Sequence, residues 1–278
     1  MREHIVNEAR DTARQAIVLV SAIVAVVGAF IGSGAAGGTP IQDAAGGALA
    51  SNATPIAPGG PAFAIWTPIY AGLLAYAVWQ SLPKQRADER QRQLGYPIAA
   101  SLILNAAWIL SIQFGFLAAS VPIIAVLLVV LVLAFRITLA SRPKNLVETI
   151  VADGTVGLYL GWVCVATAAN ITALLVASGF RGFGLGADVW AVVIVAVAGL
   201  VGVLVAIRGK GRLAPAVSLS WGLAWVAVAR LTGDLLSPPA GVAAIVAVAA
   251  VIVVTVVLRI RGPRLGGASA GSSPVVAA

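Results

Sequence analysis

Long stretches without a charged residue constrain the fold of this chain more than any other feature. Only 10% of its residues are charged, against about 25% in a typical soluble domain. A chain with so few charges cannot cover a large aqueous surface. About 20 apolar residues are enough for one helix to cross the hydrocarbon core of a bilayer. The sequence therefore predicts an all-α membrane protein with about eight transmembrane helices.

Polar breaks between the apolar stretches set the limits of the expected spans. We place the eight spans at residues 17–36, 61–82, 96–117, 121–140, 151–177, 189–207, 213–229 and 240–258. The seventh has the weakest signal, because it is short, contains Pro215 and is more polar than the others. Residues 1–15 are expected to form an amphipathic or disordered arm, and residues 261–278 a disordered tail.

The first apolar run allows a second interpretation. A basic arm before an apolar run also fits a signal peptide, and Ala48, Leu49 and Ala50 resemble a cleavage site. The apolar part of a signal peptide is usually about 7–15 residues long, shorter than the run at 17–36. The length favours a first helix that is retained.

Lysine and arginine fall almost entirely in alternate connections. Eight spans place both termini on one side of the membrane. Of the 18 Lys and Arg residues, all except Arg181 and Arg230 then lie on that side. The positive-inside rule assigns this side to the cytoplasm. The pattern predicts a multi-pass protein of the cell membrane with both termini cytoplasmic. Because topology explains the net charge of +8, we expect the lipid bilayer, and no nucleic acid, as a partner.

Residue types that carry chemistry are scarce. The only histidine, His4, lies in the N-terminal arm, and Cys164 is the only cysteine. No P-loop or nucleophile-elbow motif occurs. We therefore expect no catalytic residues, no metal ligands and no bound cofactor. Neutral polar and aromatic residues remain within the spans, and they favour binding of a planar, largely apolar ligand by stacking.

Three spans carry such residues at helical spacing, so that each set shares one helix face. The second span has Phe63, Trp66 and Tyr70; the third has Asn105 and Trp108; the fifth has Tyr159, Trp162, Ala166 and Asn170. In the alternative interpretation, the aromatic rings only pack against other helices and the asparagines join helices by hydrogen bonds. The glycine-rich loop 37–60 is either a lid over a pocket or a floppy connection.

Two further features of the fifth span concern its start and its packing. Asp153 near its start is interpreted as a helix-terminus residue, which the helix dipole stabilises. Gly157 and Gly161 form a GxxxG motif, as do Gly28 and Gly32 in the first span. This motif lets two membrane helices approach closely.

Three of these segments, in the right order, resemble the TspO/MBR family of tryptophan-rich sensory proteins and translocator proteins. The segment PAFAIWTPIYAGLLAYAVW resembles the second family helix, which reads like F-G-P-V-W-T-x-x-Y. Leu104 to Trp108 resembles L-N-x-x-W of the third helix. Tyr159 to Asn170 resembles the fifth, P-Y-L-x-W with a later L-N, although Leu158 stands in place of the proline. The resemblance covers about residues 15–180.

The resemblance implies a fold and a ligand. It implies a TspO-like five-helix bundle at residues 16–180, with the lid loop 37–60 above a pocket, followed by three additional transmembrane helices at 181–260. Family members bind porphyrins, so a porphyrin-like or other apolar small molecule is the expected partner. The resemblance and the helical stripes together imply these ligand-binding residues: Trp66, Tyr70, Asn105, Trp108, Tyr159, Trp162, Ala166 and Asn170.

The resemblance leaves several functions open. A receptor or sensor is the first interpretation. A transporter of tetrapyrroles or other apolar molecules is the alternative, favoured by Pro68 within the second span and by the extra helices. A porphyrin-degrading enzyme would rest on Trp66 and Trp162 alone, and a scaffold would use the aromatic rings only for packing. A homodimer is also possible for such a bundle.

Overall fold

A computed structural model describes residues 2–261 of the chain, with side chains from residue 8 onward. We label the eight long helices α1 to α8. They are α1 Arg2–Gly32, α2 Trp66–Gln80, α3 Glu89–Gln113, α4 Leu117–Ala140, α5 Leu146–Ala177, α6 Ala187–Arg208, α7 Leu213–Thr232 and α8 Pro238–Arg261. A 3₁₀ turn at Gly60–Ile65 leads directly into α2. Each of the eight helices, taken with this turn, is long and apolar enough to cross a membrane, and the described residues form no strand.

The chain is therefore an all-α, multi-pass membrane protein, and the predicted eight spans are confirmed. The bundle has two different ends. The lid end carries the lid loop, residues 37–60, and the connections after α3, α5 and α7. The basic end carries the N-terminus of α1 and the connections after α2, α4 and α6, which hold most of the Lys and Arg residues.

The N-terminal arm is helical, contrary to the expectation that allowed disorder. It continues α1, and Asp11, Arg14 and Gln15 are buried. The Arg14 guanidinium donates to the backbone carbonyls of Gln85 at 3.2 Å and Arg86 at 3.0 Å, which fixes the arm to the connection between α2 and α3. Residues 262–278, nearly all of the tail that we expected to be disordered, lie outside the described residues.

Pro68 does not interrupt a membrane helix. The 3₁₀ turn brings Pro61 into its first positions, and α2 begins only at Trp66. Pro68 is then the third residue of α2, where the missing N–H would have no partner within the helix. The two prolines therefore shape the entry into α2 and leave its interior regular.

Glycine motifs bring helices together within the chain. The pair in α1 packs on α3, where a Cβ at Gly28 would lie 2.8 Å from the Cβ of Ala106. The pair in α5 packs on α7: a Cβ at Gly157 would lie 2.8 Å from the Cβ of Ala214, and one at Gly161 would overlap the carbonyl oxygen of Pro215. Both predicted close approaches are intramolecular contacts.

The last three helices pack on one another and on α5, mainly through α7. Gly199 of α6 lies against Ala247 of α8. Gly202 of α6 lies against Val251 of α8 and Leu219 of α7. The helix with the weakest sequence signal, α7, is the most buried of the three. Since most of α7 faces protein, it needs less apolar surface than a helix that faces lipid. Pro215 lies in its first turn, where proline is tolerated.

A buried charge network holds the basic end together. Arg90 of α3 pairs with Glu148 at 2.9 Å and with Asp153, and Arg212 pairs with Asp153 at 2.9 Å. Asp153 is therefore not a helix-terminus residue, as we had expected. The helix starts earlier, at Leu146, and a π-helical segment, Thr149–Gly154, turns Asp153 toward both arginines. Its function is to join α3, α5 and the start of α7.

Asp88 caps the start of α3 beside this network. Burial opposes ionisation of its carboxyl, but hydrogen bonds from Lys144 and from the Gln91 backbone N–H outweigh that effect and hold the pKa of Asp88 below its usual value. The same contact raises the pKa of Lys144. The pair ties the α4–α5 connection to α3.

The α5–α7 contact makes the first testable prediction. Gly161→Ala places a methyl group against Pro215 and Ser218, and such overpacking typically costs about 1–3 kcal/mol. Gly154→Ala is the matched control in the same helix, because its Cβ would meet only the Thr149 carbonyl at 3.5 Å. We expect thermal unfolding in detergent to occur at a lower temperature for Gly161→Ala and at the same or a higher temperature for Gly154→Ala. Equal melting temperatures would contradict a close α5–α7 contact.

Candidate functional site

An aromatic cluster joins α2 to α5 near the lid end. The Trp66 ring contacts Tyr70, Tyr159 and Trp162, with ring centroids 5.5, 5.7 and 6.2 Å apart. Phe63, in the 3₁₀ turn, contacts Trp162 at 5.9 Å. Three of these four contacts are edge-to-face, a geometry that aromatic pairs favour. The sequence stripes of α2 and α5 therefore face one another.

A cavity of about 340 Å³ lies between this cluster, α1 and α3. Its volume is within the range of small-molecule sites, about 300–1,000 Å³. It is lined by Ala29, Phe30, Ser33, Ile41, Phe63, Trp66, Tyr70, Asn105, Trp108 and Ile109. None of these residues is charged, so the lining suits a neutral or apolar body with aromatic faces.

A second, much smaller cavity of about 30 Å³ lies under the lid loop. Such a volume has room for about two water molecules. It is lined by Ala48, Leu49, Thr54, Ala57, Pro58, Phe63, Trp108, Trp162, Val165, Ala166, Ala169 and Asn170. Phe63 and Trp108 line both cavities and therefore form the partition between them.

The two asparagines of the stripes have different surroundings. Asn170 accepts a hydrogen bond from the Trp108 indole N–H at 2.5 Å and donates to the Ser120 hydroxyl at 2.8 Å. It thus joins α5 to α3 and α4. Asn105 donates to the Tyr70 hydroxyl at 2.6 Å, and its carbonyl oxygen is buried without a hydrogen-bond partner among the described residues. Asn105 therefore has a free acceptor beside the larger cavity.

Two more buried polar atoms of the cavity linings have no partner within the described part of the chain. They are the indole N–H of Trp162 and the hydroxyl of Thr54, both in the lining of the smaller cavity. Buried polar groups are nearly always hydrogen-bonded, so each exception calls for an explanation. A bound ligand or ordered water at these cavities would supply the missing partners.

The expected ligand-binding residues fall into three groups. Trp66, Tyr70, Asn105 and Trp108 line the larger cavity, and Trp162, Ala166 and Asn170 line the smaller one with Trp108. Tyr159 lines neither. Its ring packs on Trp66, and its hydroxyl donates to the Ser101 carbonyl at 3.3 Å. Seven of the eight residues thus lie at the two adjoining cavities, and Tyr159 packs against one of them, Trp66, outside the cavities.

The lid loop is packed onto the bundle by α7, which the sequence reasoning did not connect with the site. The Trp221 indole N–H donates to the Ala62 carbonyl at 2.9 Å, and the Trp225 carbonyl accepts from the Gly59 N–H at 3.1 Å. Within the loop, Thr54, Ile56 and Ala57 are buried. The two tryptophans, four residues apart and the only aromatic residues of this helix, were the available signal.

A larger groove of about 910 Å³ lies outside the expected site, between α5 and α6 at the lid end. Its lining includes Thr167, Ile171 and Trp190, together with Pro55 and Ile56 of the lid loop. None of the expected ligand-binding residues lines it.

The different roles of the asparagines give the second prediction. Asn170→Ala leaves the Trp108 indole and Ser120 without their partners, which typically costs about 1–3 kcal/mol. Asn105→Ala removes one hydrogen bond and an acceptor that is already free. We expect ligand-free Asn170→Ala to unfold at a clearly lower temperature than ligand-free Asn105→Ala in the same detergent. The reverse order would mean that Asn105, rather than Asn170, joins the helices.

Comparison with known proteins identifies one family. The sequence model of the family described as TSPO-like protein matches residues 17–258. The match runs well past residue 180, where we expected the resemblance to end, and so includes α6, α7 and nearly all of α8. No curated protein and no solved structure matches the chain.

Proposed function

The chain belongs to the TSPO-like protein family, and on that premise we propose that it is a membrane receptor or sensor for a flat, largely apolar ligand such as a porphyrin. The observation that supports this proposal best is the uncharged, aromatic cavity beside Trp66, Tyr70, Asn105 and Trp108. Aromatic walls bind a flat ring system by stacking, and a few polar groups orient it.

The free polar atoms support a ligand with polar groups on an apolar body. The Asn105 carbonyl offers an acceptor in the larger cavity, while the Trp162 indole offers a donor in the smaller one. A ligand that spans both cavities would have to pass Phe63 and Trp108. The smaller cavity would therefore open as the ligand enters beneath the lid loop.

One of the two features that favoured a transporter, a helix broken at Pro68, is not found in the structure. Pro68 lies in the first turn of α2, where proline is tolerated, and does not break the helix. Ion-coupled transport also needs ionisable groups near the substrate, and neither cavity is lined by a charged residue. Binding with a signalling or sensing outcome is the simpler function for this site.

The orientation of the protein is part of the proposal. We propose that it lies in the cell membrane, which the heavy use of Ala and Val fits, with both termini in the cytoplasm, because the basic end carries most of the Lys and Arg residues. The lid loop, which contains no Lys or Arg, then faces outward. The ligand would enter from the outer side or from the outer leaflet.

Quenching of tryptophan fluorescence by protoporphyrin IX in detergent tests the function. We expect saturable quenching with about one site per chain, because the cavity can hold one ligand body. Asn105→Ala and Trp66→Phe should weaken the affinity severalfold, since each removes a contact of the cavity wall. Trp79→Phe is the control: this ring packs on Tyr76 away from both cavities.

Two results would contradict the proposal. Quenching that does not saturate would mean that protoporphyrin IX partitions into detergent without a site. Saturable quenching with equal affinity in all four proteins would mean that the ligand binds elsewhere, with the groove between α5 and α6 as the place to examine.

A further inference from the structure

Arg230 is a buried arginine near the lid end of α7 that the proposed function does not explain. Its side chain is 1% exposed. One terminal nitrogen, Nη2, donates to the carbonyl oxygen of Ser51 in the lid loop. The other two nitrogens, Nε and Nη1, are buried and have no hydrogen-bond partner among the described residues.

Among the described residues, no carboxylate forms an ion pair with Arg230. Of the other buried arginines, Arg90 pairs with both Glu148 and Asp153. Arg14 also keeps Nε and Nη1 without a partner among the described residues, but it donates to two backbone carbonyls and feels the nearby charge of Asp11. None of the ion pairs formed by the described residues includes Arg230. A buried charge without a counterion is strongly unfavourable, so the position is suited to an anion that the described residues do not supply.

Arg230 lies close to the smaller cavity. Along the α5–α7 contact, Gly161 meets Pro215 and Val165 meets Gly222. The same register places Arg230 beside residue 173 of α5, about one helical turn beyond Asn170 toward the lid end. Its partner Ser51 belongs to the segment 48–58, whose Ala48, Leu49 and Thr54 cover the smaller cavity. The guanidinium therefore contacts the segment that covers this cavity, although Arg230 itself does not line it.

We propose that Arg230 binds an oxyanion, a carboxylate or a phosphate, carried by a ligand that enters beneath the lid loop. A guanidinium offers several N–H donors in a planar fork that matches the oxygens of either group. The oxyanion takes the place of the Ser51 carbonyl and occupies the free N–H groups, so segment 48–58 shifts when it binds. The unpaired hydroxyl of Thr54 is a further donor in the same segment.

This inference rests on the proposed function and adds a requirement to it: the apolar ligand body carries an acidic arm. The aromatic cavity holds the body, and Arg230 selects ligands by charge. A desolvated arginine discriminates strongly between an acid and its neutral ester, because the ester leaves the buried charge uncompensated.

The experiment compares protoporphyrin IX, which carries carboxylates, with its dimethyl ester, which carries none. Tryptophan quenching is measured on the wild type, on Arg230→Gln and on the control Arg181→Gln, which removes an exposed arginine at the same end. We expect the wild type and the control to bind the acid at least about tenfold more tightly than the ester. Arg230→Gln should remove that preference while it keeps the affinity for the ester.

An unchanged acid-to-ester ratio in Arg230→Gln would overturn the inference and leave the proposed function intact, since both porphyrins would still bind. If neither porphyrin binds the wild type, the proposed function fails for this ligand and the unfolding temperature decides the inference. Ligand-free Arg230→Met should unfold at the same or a higher temperature than the wild type, because it removes an uncompensated charge. A clear decrease, absent in Arg181→Gln, would show that the fold itself satisfies Arg230.

A final comparison identifies the source of the oxyanion. Phosphatidylglycerol added to delipidated protein should raise the unfolding temperature of the wild type but not of Arg230→Gln if the group is a lipid phosphate. If only the free-acid porphyrin has this effect, the group is the carboxylate of the ligand. An increase of equal size in both proteins, with either compound, would contradict a role for Arg230.

Discussion

The close contact between α5 and α7 is the constraint on which the lid end depends. Gly157 and Gly161 have no side chains, so the backbone of α7 can approach α5 at Ala214 and Pro215. That approach brings Trp221 and Trp225 within hydrogen-bonding distance of the lid loop and the turn that follows it. In a membrane, such van der Waals contact between small residues is a main source of helix association. The lid loop, the smaller cavity and the burial of Arg230 all follow from the position of α7.

Much of the fold could be predicted from the sequence, because a charge-free run of membrane length has few other structures available to it. The ends of the helices were harder. The polar turn at Leu146–Glu148 continues through a π-helical segment into α5, and this continuity places Asp153 inside the network instead of at a terminus. The signal for α7 was weak because apolar content reports exposure to lipid, and α7 is largely surrounded by protein.

The candidate site was predictable only as far as helical spacing reaches. Spacing determines which residues share a helix face, and it correctly placed Trp66 on one face with Tyr70 and Asn105 on one face with Trp108. It does not fix what that face meets. Tyr159 shares the stripe of Trp162 yet turns its hydroxyl to the Ser101 carbonyl. Contacts between the lid loop and α7, such as Gly59 with Trp225, join distant parts of the chain and have no local sequence pattern.

Arg90 and Arg212 at the basic end pair with carboxylates, whereas Asn105, Trp162 and Arg230 toward the lid end keep polar atoms without a partner among the described residues. A structure determined in the presence of protoporphyrin IX tests this most directly. We expect ligand density between Trp66 and Trp108, beneath the lid loop, with an acidic group at Arg230. Density confined to the groove between α5 and α6, with the cavities unchanged, would contradict it.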